Sequence, residues 1–381
     1  MRRTVIDDIV LRLCRNETRE EEHYSSGAPP PKYCSLVVEM RAGPHMGFGE
    51  CVPTSHVLKG WSAGKSGIDE WSEALAACGR LLGTDLAALG RWLPEAWRDA
   101  QDYNSIADAL DFAVHDLAGR VYGLPVSALL GGRGRLQVPY LHTLFLDEPD
   151  RMAEKAAAAH GQTGVRYFKL KPSGRAARDE ESLAKIKERV PGPVRFTLDP
   201  NLSLQGDAAS LAAYLNRLRP LGLEICEDPL DADWATVYRE LQSRTDVDLM
   251  VDARARTRRD IRAIIQSGGA RWVNVHANWG GGFQQALAKA DLAYCAGLKV
   301  MVGAARFLGI ASAAYQILAG LLPGVAPCEQ EPARMTSRTP VVRNEFPVRD
   351  GLIWIEERPG LGIEVDRAAL AAVTEREERL T

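Results

Sequence analysis

Apolar and polar positions change rhythm about a third of the way along the chain. From Thr4 to Cys14 the apolar residues Val5, Ile9, Leu11 and Leu13 alternate with polar neighbours, and Ser35 to Arg41 repeats the alternation, which predicts two strands of an antiparallel sheet. Between them Arg15 to Lys32 is polar and carries Pro29, Pro30 and Pro31; it is predicted to be a mobile loop of the kind that serves as a lid. Gly47 to Glu50 closes the strand region, and helices are predicted over 68–82, 86–98 and 106–122. In the last of these, Ala109, Leu110, Ala113, Leu117 and Val121 share one face.

From Gln137 onward, short β runs alternate with helical stretches of about 10 to 15 residues, the signature of a parallel sheet. Strands are predicted near 138–144, 166–171, 194–199, 223–227, 248–252, 272–276, 299–303 and 325–329. The helices between them fall at 149–160, 179–190, 208–218, 233–242, 258–267, 283–295 and 307–319. Eight such units predict an α/β fold, a (β/α)8 or TIM barrel over 136–339. Residues 1–135 form an α+β capping domain, to which 340–381 returns.

Three of the predicted strands end in an acid: Asp199, Glu227 and Asp252, roughly one βα unit apart. Carboxylates at successive strand ends converge on the C-terminal mouth of a barrel, where active sites sit. They cannot stay ionised together without a cation, and a hard divalent ion with oxygen ligands, Mg²⁺ first, is the natural occupant. The second strand ends in Lys169 and Lys171, which period 2 points the same way. A lysine beside such a cation and a second ammonium has its pKa pulled down and can act as a base. Its target is the proton on a carbon next to a carboxylate.

Composition narrows the partners. The chain has 381 residues, 25% of them charged, and a net charge of −3, so there is no broad electrostatic case for nucleic acid or an anionic membrane. No apolar run reaches the ~18 residues of a membrane span, and the opening residues lead into a strand rather than a secretory signal, so a cytoplasmic location is expected. Seven cysteines without paired spacing fit reduced thiols. A small-molecule substrate and a homo-oligomer, common for such barrels, complete the expectation.

The ordered motifs resemble the enolase superfamily, in the branch of the muconate lactonizing enzymes, dipeptide epimerases and mandelate racemase-like proteins. The stretch from Gly47 to Pro53 (GFGECVP) resembles that family's cap motif. Ala109 to Gly119, Gly123 to Pro125 and Leu129 to Gly132 resemble its cap-to-barrel joint, and Pro359 to Glu364 its closing segment. Lys169 and Lys171, Asp199 and Asn201, Glu227 to Pro229, and Gly280 to Gly282 follow in the family's order.

The resemblance implies Mg²⁺ on Asp199, Glu227 and Asp252, Lys171 as the proton-transferring base and Lys169 as its electrostatic support. Asn201, Glu329, Arg306 and Trp279 are the candidate substrate contacts. Arg254 is a further candidate for an anionic group, Glu331 an alternative to Glu329, and Trp279 is alternatively packed under the Gly280 turn. Among the remaining histidines, only His142, at the end of the first barrel strand, is expected to face the site.

Two departures stand out: His276 occupies the sixth-strand position where that branch carries a second lysine, and Asp252 is followed by Ala253 and Arg254 instead of Glu-Ser. A histidine can still exchange protons. The expected activity is a racemase or epimerase with His276 as second acid or base. The alternatives are a dehydratase, a cycloisomerase, or a metal-binding barrel without proton transfer.

Overall fold

The N-terminal alternation folds as read. The computed structural model describes residues 4–20, 22–25, 33–53, 67–88, 106–132, 134–277, 281–325 and 327–381. Strands β1 (Asp8–Asn16), β2 (Tyr33–Ala42) and β3 (His45–Cys51) form an antiparallel sheet. Ile9 and Leu11 of β1, with Leu36, Val38 and Met40 of β2, face a cluster completed by helix α1 (Gly67–Gly79) and helix α2 (Ile106–Tyr122). Helix α2 lies directly on β3. A Cβ on Gly49 would come within 1.8 Å of the Ala109 carbonyl oxygen, so glycine is required for that approach. Of the helix expected over 86–98, a 3₁₀ turn at Leu86–Ala88 is seen and the rest lies outside the described residues. Thr54 to His56, expected to help set substrate choice, also lies outside the described residues.

The second half is a parallel barrel. Strands β5 (His142–Leu144), β6 (Tyr167–Leu170), β7 (Arg195–Leu198), β8 (Leu223–Glu227), β9 (Asp248–Val251), β10 (Trp272–Val275) and β11 (Lys299–Val302) pair in sequence order. The strand expected at 325–329 is reduced to bridges at Cys328, which joins Val302 on one side and Tyr140 on the other and so closes the ring. Pro327 has no N–H to donate to a ladder, yet its carbonyl accepts from Val302 N at 3.0 Å. The helix expected at 233–242 begins as a π turn, Trp234–Tyr238.

The C-terminal tail divides instead of returning whole to the cap. Before β5, the short strand β4 (Gln137–Pro139) pairs with a tail strand, Leu352–Trp354. Only the last strand, Thr374–Leu380, joins the cap sheet, as an edge beside β1. Its sequence, TEREERL, is almost all charged, which suits an exposed edge and carries no apolar alternation.

Buried carboxylates join cap to barrel. Asp108 of α2 accepts from Gly281 N and Gly282 N, and Asp111 from Phe283 N, at the start of helix α3 (Gly282–Cys295). Glu50 of β3 accepts from Ser35 Oγ, from Leu308 N at 2.6 Å and from Ala311 N at 3.1 Å. Burial pushes Glu50 above the ordinary carboxylate range although these donors pull it down. A raised carboxylate binds its proton more tightly in the folded chain. Its contribution to stability is therefore complete below the ordinary carboxylate pKa and is lost as pH rises toward the raised value. Glu50→Gln is expected to flatten the fall in urea midpoint as pH rises above the ordinary carboxylate range. An unchanged slope would count against it.

Candidate active site

The barrel floor determines what faces its mouth. Leu141, Tyr167, Ile225, Met250, Trp272 and Met301, from six of the ring's positions with β7 contributing none, form an apolar layer inside the ring. Residues two positions further along point the same way. These are Thr143, Lys169, Glu227, Asp252, Asn274 and Gly303, and one further step on β6 and β10 brings Lys171 and His276. Asp199 follows β7 by the same alternation, from Thr197, whose hydroxyl donates to Tyr167 Oη at 3.1 Å inside the ring.

The predicted residues meet. Lys169, 1% exposed, forms ion pairs with Glu227, with Glu329 at 2.7 Å and with Asp199 at 3.9 Å. Lys171 pairs with Asp199 and donates to Asn201 Oδ1 at 2.9 Å. His276 Nε2 lies 2.9 Å from Asp252 Oδ1. Asn274 donates to Glu227 Oε1 at 3.0 Å, and Thr143 to Glu329 Oε1 at 2.8 Å. Asn274 and Thr143 were not singled out in the sequence, although their parity with His276 and Lys169 would have found them.

Loop geometry fixes the strand ends. Asn201 adopts φ +50°, a left-handed conformation that asparagine tolerates, and its N–H donates to Asp199 Oδ1 at 3.0 Å. Asp228, also left-handed at φ +40°, accepts from Asp252 N at 3.1 Å and Ala253 N at 2.7 Å, tying the end of β9 to that of β8. Burial first, and then the Asp252 charge, push Asp228 up to about 7.

Negative charge is crowded here. Burial raises Glu227 well above the ordinary range; Lys169 pulls it back, and the Asp199 and Asp252 carboxylates push it up further. Burial acts to lower Lys169, but Glu227, Glu329 and Asp199 outweigh it and hold the ammonium well above its ordinary value. Lys169 is thus held as a positive charge by its three carboxylates. Burial would raise Asp252, yet His276 and Arg256 bring it below the ordinary range.

Other expectations need correction. Register pairs His142 with Phe168 and Thr143 with Lys169, so His142 shares the outward face of Phe168. There it contacts Glu331 Oε1 at 2.5 Å, which also accepts from Tyr140 Oη at 2.6 Å; Glu331 therefore turns away from Lys169, and Glu329 is the one facing it. Arg306 is paired with Glu22 and lies 3.6 Å from Glu331, and Arg254 pairs with Asp231. Trp279 lies outside the described residues.

Part of the predicted lid is in place. Glu22, 2% exposed, accepts from Tyr24 Oη at 2.7 Å, and the Lys171 ammonium stands 5.3 Å from the centre of the Tyr24 ring. Tyr24 packs edge-on against Phe145 at 5.5 Å, and Leu146 N donates to His23 O at 3.0 Å.

The acidic row fits a hard cation by its donor chemistry. All three predicted ligands offer carboxylate oxygens at the mouth, and Glu227 Oε2 and Asp252 Oδ1 are buried there, facing the Lys169 ammonium and the His276 ring. As placed, Lys169 lies between Asp199 and Glu227, and among the described residues no three acidic, histidine or cysteine side chains close into a ready-made metal cluster.

Barrel, cap and polar ring define an enolase-superfamily architecture. Residues 33–131 match the model for the mandelate racemase / muconate lactonizing enzyme N-terminal domain, and residues 151–369 match the enolase C-terminal domain-like model, so the chain belongs to this family. It is similar to the N-succinyl-L-Arg/Lys racemase of Bacillus cereus, 30% identical over 70% of this chain and 71% of the relative. It is also similar to the L-Lys-D/L-Arg epimerase of Methylococcus capsulatus, 28% identical over 86% and 90%. The muconate lactonizing enzyme from Pseudomonas fluorescens, solved with muconolactone, shares the fold at TM-score 0.86 and 20% identity, over 98% of this chain and 100% of that one. Relatives are racemases, epimerases, cycloisomerases and a probable dehydratase, so the chain is an enolase-superfamily enzyme of isomerase or lyase kind. Among the described residues no helix is long and apolar enough to cross a membrane.

Proposed function

We propose that the chain abstracts the α-proton of a small carboxylate substrate and returns a proton to the opposite face, as a racemase or epimerase. One observation carries this reading. Lys171 and His276 follow β6 and β10, the second and sixth of eight positions in the ring and hence opposite each other, with the acidic ends of β7, β8 and β9 on the arc between them. The racemase and epimerase relatives support it, and their names point to N-acyl amino acids or dipeptides as the substrate class.

Lys171 is the base on one face. Asn201 and Asp199 hold its amine, and the Tyr24 ring covers it from bulk water. Lys169, kept charged by its three carboxylates, attracts the substrate carboxylate, while Glu329 and Thr143 fix its direction. His276 takes or gives the proton on the other face, oriented by Asp252. Asp199, Glu227 and Asp252 would hold Mg²⁺, the divalent ion proposed for this site, which when bound supplies positive charge against the negative charge that develops on the substrate carboxylate. Arg306 acts through Glu22, anchoring the lid, and Trp279 remains a proposed pocket residue.

The test is a Mg²⁺-loaded sample in D₂O with N-succinyl-arginine, N-succinyl-lysine, dipeptides and acid sugars, followed by proton NMR. The expected result is loss of the α-proton signal together with appearance of the opposite configuration. Dehydration without deuterium at the α-carbon of recovered substrate would assign a lyase instead, and no exchange with any compound would refute the reading.

Gly303 supplies a local check. A Cβ there would sit 2.1 Å from His276 Nε2 and 2.8 Å from Asn274 Oδ1, so Gly303→Ala must displace the imidazole. A shift of ~1 Å at a reacting group can cost about 10²-fold. Exchange on the His276 face should fall by about that factor, whereas wild-type rates on both faces would show that the ring is not used.

A further inference from the structure

Lys289 is a lysine where the fold offers an apolar setting. It lies on α3, whose buried neighbours are Phe283, Ala286, Ala290 and Ala293, and it is 2% exposed. An ammonium in such a place costs several kcal/mol of desolvation, so its contacts matter. It makes two hydrogen bonds, both to main-chain carbonyls beyond the strand ends: His276 O at 3.1 Å and Arg256 O at 3.1 Å. Burial brings it down to about 8, partly opposed by the Asp108 carboxylate.

These two carbonyls belong to the loops after β10 and β9, the same loops that bring His276 to Asp252. The chain after His276 is held again further on, where Asp108 receives Gly281 N and Gly282 N. Between these anchors, Ala277 O accepts from Gly282 N at 3.3 Å. Gly303 bounds the imidazole on one side, and the Tyr315 ring lies edge-on at 6.2 Å.

We infer that Lys289 is a positioning residue for proton transfer at His276: by joining the His276 and Arg256 main chains from behind the barrel wall, it sets the imidazole against Asp252. It does not touch the substrate. The inference rests on the proposal that His276 exchanges the proton on one face, and it adds a residue from the helical layer to the determinants of that face alone. Lys171, on the far side of the ring, is untouched by it.

The experiment compares wild type, Lys289→Met and Lys289→Gln. Each is loaded with Mg²⁺ and given, separately in D₂O, the two enantiomers of whichever N-acyl amino acid or dipeptide the wild type exchanges fastest. In Lys289→Met, exchange from the enantiomer that presents its proton to His276 should fall about 10- to 100-fold, as for a displaced reacting group, while the Lys171-side exchange stays within about threefold. Lys289→Gln, which can still donate to a carbonyl, should recover most of the loss. The His276 ring signal, assigned by its absence in His276→Gln, should shift in Lys289→Met without substrate.

A Lys289→Met protein that loses both exchanges equally, or neither, overturns the inference and leaves the proposed function standing. A wild type that exchanges no enantiomer refutes both.

Discussion

Lys171→Ala is expected to lower α-proton exchange on its own face by about 10²- to 10⁴-fold, the range general-base catalysis supplies. Removing the side chain deletes the amine that Asn201 holds and the Tyr24 ring covers. It also removes a charge partner of Asp199, so charge and basicity must be separated. Lys171→Arg does this. A guanidinium keeps the positive charge but cannot give up its proton at any working pH, so it should be as inactive as alanine. If arginine restores exchange, Lys171 serves only as a charge. If alanine exchanges at the wild-type rate on both faces, Lys171 is not the base; only a wild type that exchanges no α-proton would make a binding barrel the better account.

The site was legible where one strand carries its own signal. Lys169 and Lys171 are two apart, and Asp199, Glu227 and Asp252 each end an apolar run, so parity and punctuation sufficed to put them at one mouth. Contacts set by register or by distant chain were hidden. Thr143 was passed over for His142 because only the pairing with β6 decides which of two adjacent residues faces inward. Glu22 reaches Arg306 across 284 positions, and no local pattern announces that a lid carboxylate will occupy a barrel-top arginine. The eighth strand and the final cap strand failed for opposite reasons. An apolar start around Val325, 66% exposed, promised a regular strand that Pro327 limits to bridges, whereas the charged 374–380 segment looked like no strand at all. Asp108 and Asp111 look like ordinary polar positions on an amphipathic helix until the N-terminus of α3 is seen against them.

Mg²⁺ is expected to stabilise the wild-type chain against unfolding by about 2.7 kcal/mol when present at 100 times its dissociation constant, and Asp252→Asn and Glu227→Gln should remove most of that gain. Four carboxylates, Asp199, Glu227, Asp252 and Glu329, share the mouth with the ammoniums of Lys169 and Lys171, and Glu227 is already forced upward by burial and crowding. An added cation relieves that crowding in the folded state and has no comparable site in the unfolded chain, which is why binding registers as stability. The variants differ in the absence of Mg²⁺, and this difference tests the geometry. Glu227→Gln leaves the buried Lys169 with one carboxylate fewer, and losing a partner from a buried pair costs up to about 3–5 kcal/mol. That loss is smaller here to the extent that Glu227 already holds a proton. Asp252→Asn removes a carboxylate that His276 and Arg256 hold below its ordinary range, so it should lose some stability without Mg²⁺ and, in addition, the gain on adding Mg²⁺. Urea unfolding of the three proteins, with EDTA and across a Mg²⁺ titration, separates the two effects. A Mg²⁺-dependent gain that survives in Asp252→Asn would take that residue out of the ligand set, and no gain in the wild type would remove the metal from this site.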